Sequence, residues 1–206
     1  YDLPEMAGTA GKSCTDDDVR VVKYVEGRKS EPDDLAAMDE AETGEVIIRT
    51  MKSSYCYFNN PEEEANKFYK GWMYTGDLAT WDKNQFITIS GRKDDMIISG
   101  GENLYPVQIE NFIRAHEKVK DVAVIGLPDP RLVEIAAAII EVKEGFSLSE
   151  EEVNNFCLDL PRYKRPRRVI FAKVPRNPTG KIEKPVLRKI YCGESVVAQQ
   201  NEINIK

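Results

Sequence analysis

The chain of 206 residues holds a single histidine, His116, and four cysteines, at positions 14, 56, 157 and 192. The cysteines are scattered and form no CxxC pair, which excludes a disulfide scaffold. One histidine and such cysteines also leave a conventional zinc site short of ligands. Positive charge is not in excess: 29 Lys and Arg stand against 35 Asp and Glu, a net charge of −6. That argues against a nucleic-acid binder that works through a global positive field. Long apolar runs are missing too. The longest, Ile135-Ala-Ala-Ala-Ile-Ile140, falls far short of the roughly 20 residues that span a bilayer. The opening Tyr1-Asp-Leu-Pro-Glu5 lacks both a signal-peptide pattern and an initiator Met. A piece of a longer cytoplasmic chain, cut on its N-terminal side, is the expectation. The composition, 41% hydrophobic and 31% charged, is that of a globular protein with one or two domains.

The first ninety residues read mostly as strands and turns. Val19–Tyr24 and Gly44–Thr50 are β-branched strands separated by a turn at 26–30 and an acidic, Ala-rich solvated loop at 31–42. Asn59-Asn-Pro61 followed by three Glu reads as a helix start, with proline in the first turn and acids at the positive end. That helix is expected to end near Gly71. Trp72–Tyr74 and Phe86–Ser90 are further strands, with hairpin chemistry at Asp82-Lys-Asn84 between them. After Gly91 helices and strands alternate. Residues 106–116 are helical in spacing, and His116 reads as a surface position on that helix. Val122–Gly126, Glu134–Val142 and Val169–Phe171 read as strands. Ser149 caps a helix with three acids behind it, and Glu183–Tyr191 is a terminal helix. The fold class expected is α+β, with a β-rich unit over 1–92, a second unit over 93–192 and a frayed polar tail over 193–206.

Four local patterns bear on chemistry. In Tyr74-Thr-Gly-Asp77, glycine lets a ligand approach the backbone and Asp77 could accept both hydroxyls of a ribose; the same triplet is also an ordinary hairpin turn. In Gly91–Pro106, charged residues precede the apolar Met96-Ile-Ile98 and the pair Gly100-Gly101. The pair is either a β-turn or a groove for a thin substituent, and the charges are either a solvated loop or a hinge. Pro175–Lys181 is a loop with Pro and Gly punctuation that could project one ammonium; it lacks the spacing of a Walker phosphate loop. Tyr163-Lys-Arg-Pro-Arg-Arg168 is a basic patch, fit for a phosphorylated cofactor tail or for nothing beyond solvation.

In this order and at these spacings the patterns are specific. From Tyr1 to about Arg188 the chain resembles the C-terminal part of the adenylate-forming superfamily, the AMP-dependent synthetases and ligases. Tyr1–Glu5 is similar to the Y-G-x-T-E segment, Gly71–Asp77 to the ribose segment, Gly91–Glu110 to the hinge segment and Pro175–Lys181 to the catalytic-lysine loop. Within the superfamily it is most similar to medium-chain acyl-CoA and aryl-CoA ligases. Asp2 and Pro4 depart from the pattern, where Gly and a hydroxyl-bearing Thr are usual. The resemblance implies the β-rich, distorted barrel-like end of a large N-terminal domain, followed by a small mobile α+β domain. It implies ATP, Mg and coenzyme A as cofactors and a small carboxylic acid as substrate. The missing N-terminal domain of the same chain is the implied partner, with no role for nucleic acid or a membrane span. Residue by residue, it implies Lys181 as the catalytic ammonium and Asp77, Arg92, Tyr74 and Thr75 at the nucleotide. Glu5 is the implied magnesium ligand and Asp94 the hinge. Ser99, Gly100, Gly101, Glu102, Lys164 and Arg165 are implied at coenzyme A. A domain that loads a carrier protein, and a non-catalytic nucleotide- or partner-binding module, are the alternatives.

Overall fold

The structure, a computed structural model, describes residues 8–13, 18–49 and 59–193. The Tyr1–Glu5 segment, Cys14, Cys56 and the tail beyond 193 lie outside them. The chain divides into two compact units, Tyr1–Asp94 and Asp95–Lys206.

In the first unit, β-branched Val19–Lys23 (β1) pairs antiparallel with Gly44–Ile48 (β2). A short helix, Pro61–Lys67 (α1), starts where Asn60 accepts the Glu63 N–H. Phe68–Tyr69 (β3), Trp72–Trp81 (β4) and Ile87–Arg92 (β5) complete an antiparallel sheet of order β1-β2-β4-β3, with β5 also on β4. Alternate residues bury opposite faces: Val21, Val46, Ala79 and Trp81 on one, Val22, Ile47, Trp72 and Tyr74 on the other. Helix α1 stops at Lys67, short of the expected Gly71, because Phe68 turns extended and pairs with Met73. The acidic stretch 31–42 is not wholly solvated. Ala36 is buried, donates its N–H to Val21 and accepts the Trp81 indole N–H. The apolar residues around it, Leu35 to Met38, are consecutive and carry neither a strand nor a helix period, so sequence patterning misses the buried one.

The second unit is built on a long hairpin, Val119–Asp129 (β8) against Val133–Val142 (β9). Before it come the short hairpin Ile97–Ser99 (β6) and Glu102–Leu104 (β7), then helix Pro106–Arg114 (α2). After it come helix Glu150–Phe156 (α3), strand Arg168–Phe171 (β10) and helix Lys184–Tyr191 (α4). Strand β10 runs parallel to β9 along 137–140, and β6 pairs in register with β9 at Ser99 and Val133. One face of the hairpin (Val122, Val124, Ala136, Ala138, Ile140) packs on Ile109 and Ile113 of α2 and Val153 of α3. The other (Ala123, Ile125, Ala137, Ile139) packs on Leu187 of α4. Burial on both faces is why these strands read as near-continuous apolar runs.

His116 does not sit on α2. It follows the helix, where its Nδ1 accepts the Lys118 N–H and its ring meets Phe156 edge-on at 4.8 Å. The protein is thus a mixed α and β structure with two mainly antiparallel sheets. Among the described residues no helix is long and apolar enough to cross a membrane.

Candidate functional site

Strand β4 breaks its regular pairing at Thr75–Asp77. Glu45 pairs with Leu78 and Ile47 with Tyr74, so β4 advances four residues while β2 advances two. The surplus bulges out. Gly76 takes φ +76, which glycine adopts without a Cβ penalty. Its N–H donates to the buried Glu45 carboxylate at 3.2 Å. Thr75 Oγ1 donates to the Val46 carbonyl and accepts the Asp77 N–H.

On the other edge of β4, β3 pairs at Trp72 and Met73 and β5 only from Asp77 onward. Arg92, the last residue of β5, reaches across the interval. Its Nη1 donates to the Thr75 carbonyl at 3.1 Å and to Asp77 Oδ1 at 3.0 Å. A cavity of about 430 Å³ lies here, lined by Ile48, Lys67, Met73, Tyr74, Thr75, Asp77 and Arg92. The hairpin-turn reading of Thr75-Gly-Asp77 therefore fails: the triplet is a mid-strand bulge that presents Asp77 at an open edge. The Tyr74 hydroxyl donates to the Ser30 carbonyl, and the residue, almost wholly buried, contributes to the cavity wall. Burial, with Glu45 nearby, pushes this phenol up to about 12.

Ser99, Gly100, Gly101 and Glu102 form the tip of the β6–β7 hairpin. Both glycines have positive φ, +61 and +87, as a two-residue hairpin turn requires. The tip is fastened to β9 and the turn before it. Gly100 N–H donates to the Leu132 carbonyl, Ser99 Oγ to the Glu134 carbonyl and Ile98 N–H to the Glu134 carboxylate at 3.0 Å. Leu132 and Glu134 belong to none of the sequence patterns. Their role comes from a pairing some 35 residues distant in sequence, which leaves no local mark.

Lys181 lies in a loop closed by a bridge between Arg176 and Ile182. Asn177 Oδ1 accepts the N–H groups of Thr179 and Lys181 and the Thr179 hydroxyl, and the Lys181 side chain is exposed. The loop's approach is tied to one end of the β8–β9 hairpin, where Glu141 accepts the Val174 N–H. The glycine tip is tied to the other end, at Leu132 and Val133. Between Asp121, paired with Glu141, and Asp129, paired with Val133, β8 advances about 27 Å at ~3.4 Å per residue.

Asp94 is the last residue of the first unit. Its neighbour Asp95 accepts Arg188 of α4 at 2.6 Å and faces Lys184 at 3.8 Å. Lys184 is itself buried and pairs with the buried Glu110 of α2 at 2.8 Å; Glu110 also accepts the Val124 N–H. Sequence reasoning passed over this network, because buried and exposed helix charges look alike in one dimension. In the basic patch, Lys164 donates to Gln108 Oε1, and Arg165 donates to the carbonyls of Leu158 and Leu160. Burial pushes the Cys157 thiol up to about 11, which keeps it protonated near neutrality. Among the described residues no group of three or more His, Cys, Asp or Glu could hold a metal ion.

Comparison with known proteins bears on these three places together. Residues 108–181 match the family model of the AMP-binding enzyme C-terminal domain. Long-chain-fatty-acid–CoA ligase FadD13 of Mycobacterium tuberculosis is 43% identical over 192 residues, 92% of this chain and 36% of that protein. The chain belongs to the adenylate-forming superfamily. The 2-succinylbenzoate–CoA ligase of a Geobacillus species is 31% identical over 92% of this chain and 37% of its own length. The solved structure of ATP-bound MatB from Rhodopseudomonas palustris superposes with a TM-score of 0.76 at 30% identity, covering 89% of this chain and 36% of that one. The o-succinylbenzoate CoA synthetase of Bacillus subtilis, solved with its acyl-adenylate intermediate, gives 0.77 at 28% identity, over 93% of this chain and 37% of that one. This chain thus spans about a third of the curated relatives it matches. Both curated relatives named here are CoA ligases.

Proposed function

We propose that these residues serve an AMP-forming acid–thiol ligase, which activates a carboxylic acid with ATP and passes the acyl group to coenzyme A. The first unit would be the β-rich end of a larger N-terminal domain and the second a small mobile domain. The supporting observation is the separation of Lys181 from Gly100-Gly101 at opposite ends of one hairpin, in a unit that begins directly after Asp94. The relatives solved with ATP and with an acyl-adenylate support the nucleotide chemistry.

In the first half-reaction a carboxylate oxygen attacks the α-phosphorus of ATP and pyrophosphate leaves. Two anions meet, and the Lys181 ammonium offsets their repulsion most as charge shifts in the transition state. A thousandfold effect needs only about 4 kcal/mol. Asp77 accepts the ribose hydroxyls at the open edge of β4, with Arg92 steering its carboxylate and Thr75 and Tyr74 as walls. Magnesium accompanies the nucleotide in this reading, with Glu5 as a hard oxygen ligand. In the second half-reaction the small unit turns about Asp94 and brings forward the tip at Ser99–Glu102. The thiol of coenzyme A then attacks the acyl carbonyl, the thioester forms and AMP leaves. Gly100 and Gly101 leave space for the pantetheine arm. Lys164 offers charge to the coenzyme A phosphates, while Arg165 shapes the surface through its carbonyl bonds.

The test is the Lys181→Ala variant of the ligase that carries these residues. Adenylation, read by pyrophosphate exchange, should fall by about a thousandfold, while thioester formation from supplied acyl-adenylate survives. An equal fall in both half-reactions refutes the role given to Lys181.

A further inference from the structure

The lysine loop hangs from β8 by one guanidinium. Asp121, near the start of β8, is a buried carboxylate. Its Oδ2 accepts Arg176 Nε at 2.7 Å and its Oδ1 accepts Arg176 Nη2 at 2.9 Å. The remaining guanidinium nitrogen, Nη1, donates to the carbonyl of Gly180, the residue directly before Lys181. One planar group thus grips a rigid strand with two nitrogens and the base of the catalytic lysine with the third. Asp121 is itself held, since Oδ1 also accepts the Val122 N–H and Arg114 stands 3.8 Å away. Burial alone would push this carboxyl up. The bonds from Arg176 and Val122 outweigh burial and hold it below the usual carboxylate range.

We propose that Asp121 is a positioning residue for Lys181, acting through Arg176 to fix where the loop 176–182 stands against β8. The proposal rests on the adenylation role given to Lys181 above. A bidentate carboxylate–guanidinium pair has one geometry, which a lysine in place of Arg176 cannot reproduce. Without it the loop loses its link to β8 through Arg176, and the Asn177 bonds that hold the Thr179, Gly180 and Lys181 N–H groups open more often. Displacing a reacting group by 1 Å costs about a hundredfold in rate.

The test has two arms. In the 206-residue chain, Asp121→Asn or Arg176→Gln should speed amide exchange of Thr179, Gly180 and Lys181 at least ~10-fold, with β8 and β9 unchanged. In the ligase that carries these residues, the same variants should slow adenylation by ~10- to 100-fold and leave thioester formation from supplied acyl-adenylate within about twofold. Arg176→Lys should behave like Arg176→Gln, and the double variant should be no worse than either single one. Arg176 is partly exposed, so its variants keep the question open to measurement if Asp121→Asn does not fold. Unchanged loop exchange, an equal fall in both half-reactions, or additive losses in the double variant each overturn the proposal. A wild-type ligase that forms no acyl-adenylate overturns the functional reading and the positioning role with it, whereas unchanged exchange overturns the positioning role alone.

Discussion

Val133 has φ +72, a left-handed conformation that a β-branched residue adopts only under strain. It is 68% exposed, so little packing compensates. Its place explains the strain: it opens β9, pairs with Asp129 across the turn and meets Ser99 at the glycine tip. Val133→Gly should therefore raise stability by about 1 kcal/mol, read as a higher urea midpoint. A lower or equal midpoint would mean the backbone there is unstrained. Single residues also mark the limit of one-dimensional reading. Asp77 and Lys181 could be singled out because glycine punctuation and a familiar order surround them. Asp121 and Glu134 could not, because an acid near the end of an apolar strand looks the same whether it faces water or grips a distant loop.

At the level of elements, helix α3 shows how much local chemistry alone can decide. Ser149 Oγ accepts the Glu152 N–H, and the Glu152 carboxylate accepts the Ser149 N–H at 2.9 Å. Lys118 donates to the same carboxylate at 2.6 Å. That bond first, and the cap second, hold the Glu152 carboxyl down at about 2. A carboxyl depressed in the folded state adds stability above its ordinary value near 4.5, and loses it as pH falls toward 2. The Glu152 carboxyl should accordingly titrate near pH 2 by NMR, with α3 loosening over that interval. A midpoint near 4.5 would dissolve the cap. Ser149→Ala should lower stability by about 1 kcal/mol. This cap was legible in the sequence because all its parts lie within four residues. The end of α1 was not, since Phe68 leaves the helix to meet Met73 on another strand.

For the molecule as a whole, the two units have separate cores. Both tryptophans, Trp72 and Trp81, lie in the first, and Leu187 lies in the second. Leu187→Ala should remove about 3 kcal/mol from the second unit. Exchange protection in β8 and β9 should fall accordingly, while the tryptophan fluorescence transition keeps its midpoint. A shift of that transition by the same amount would show one cooperative unit in place of two. Composition, caps and glycine-marked loops were settled within a few neighbouring residues, because backbone preference and local hydrogen bonding act at that range. The open edge at Asp77, the grip of Asp121 on the lysine loop and the placing of Lys181 and Gly101 at opposite ends of a hairpin were decided only in three dimensions. Each depends on which strands pair and in what register, and that follows from burying both faces of a sheet at once.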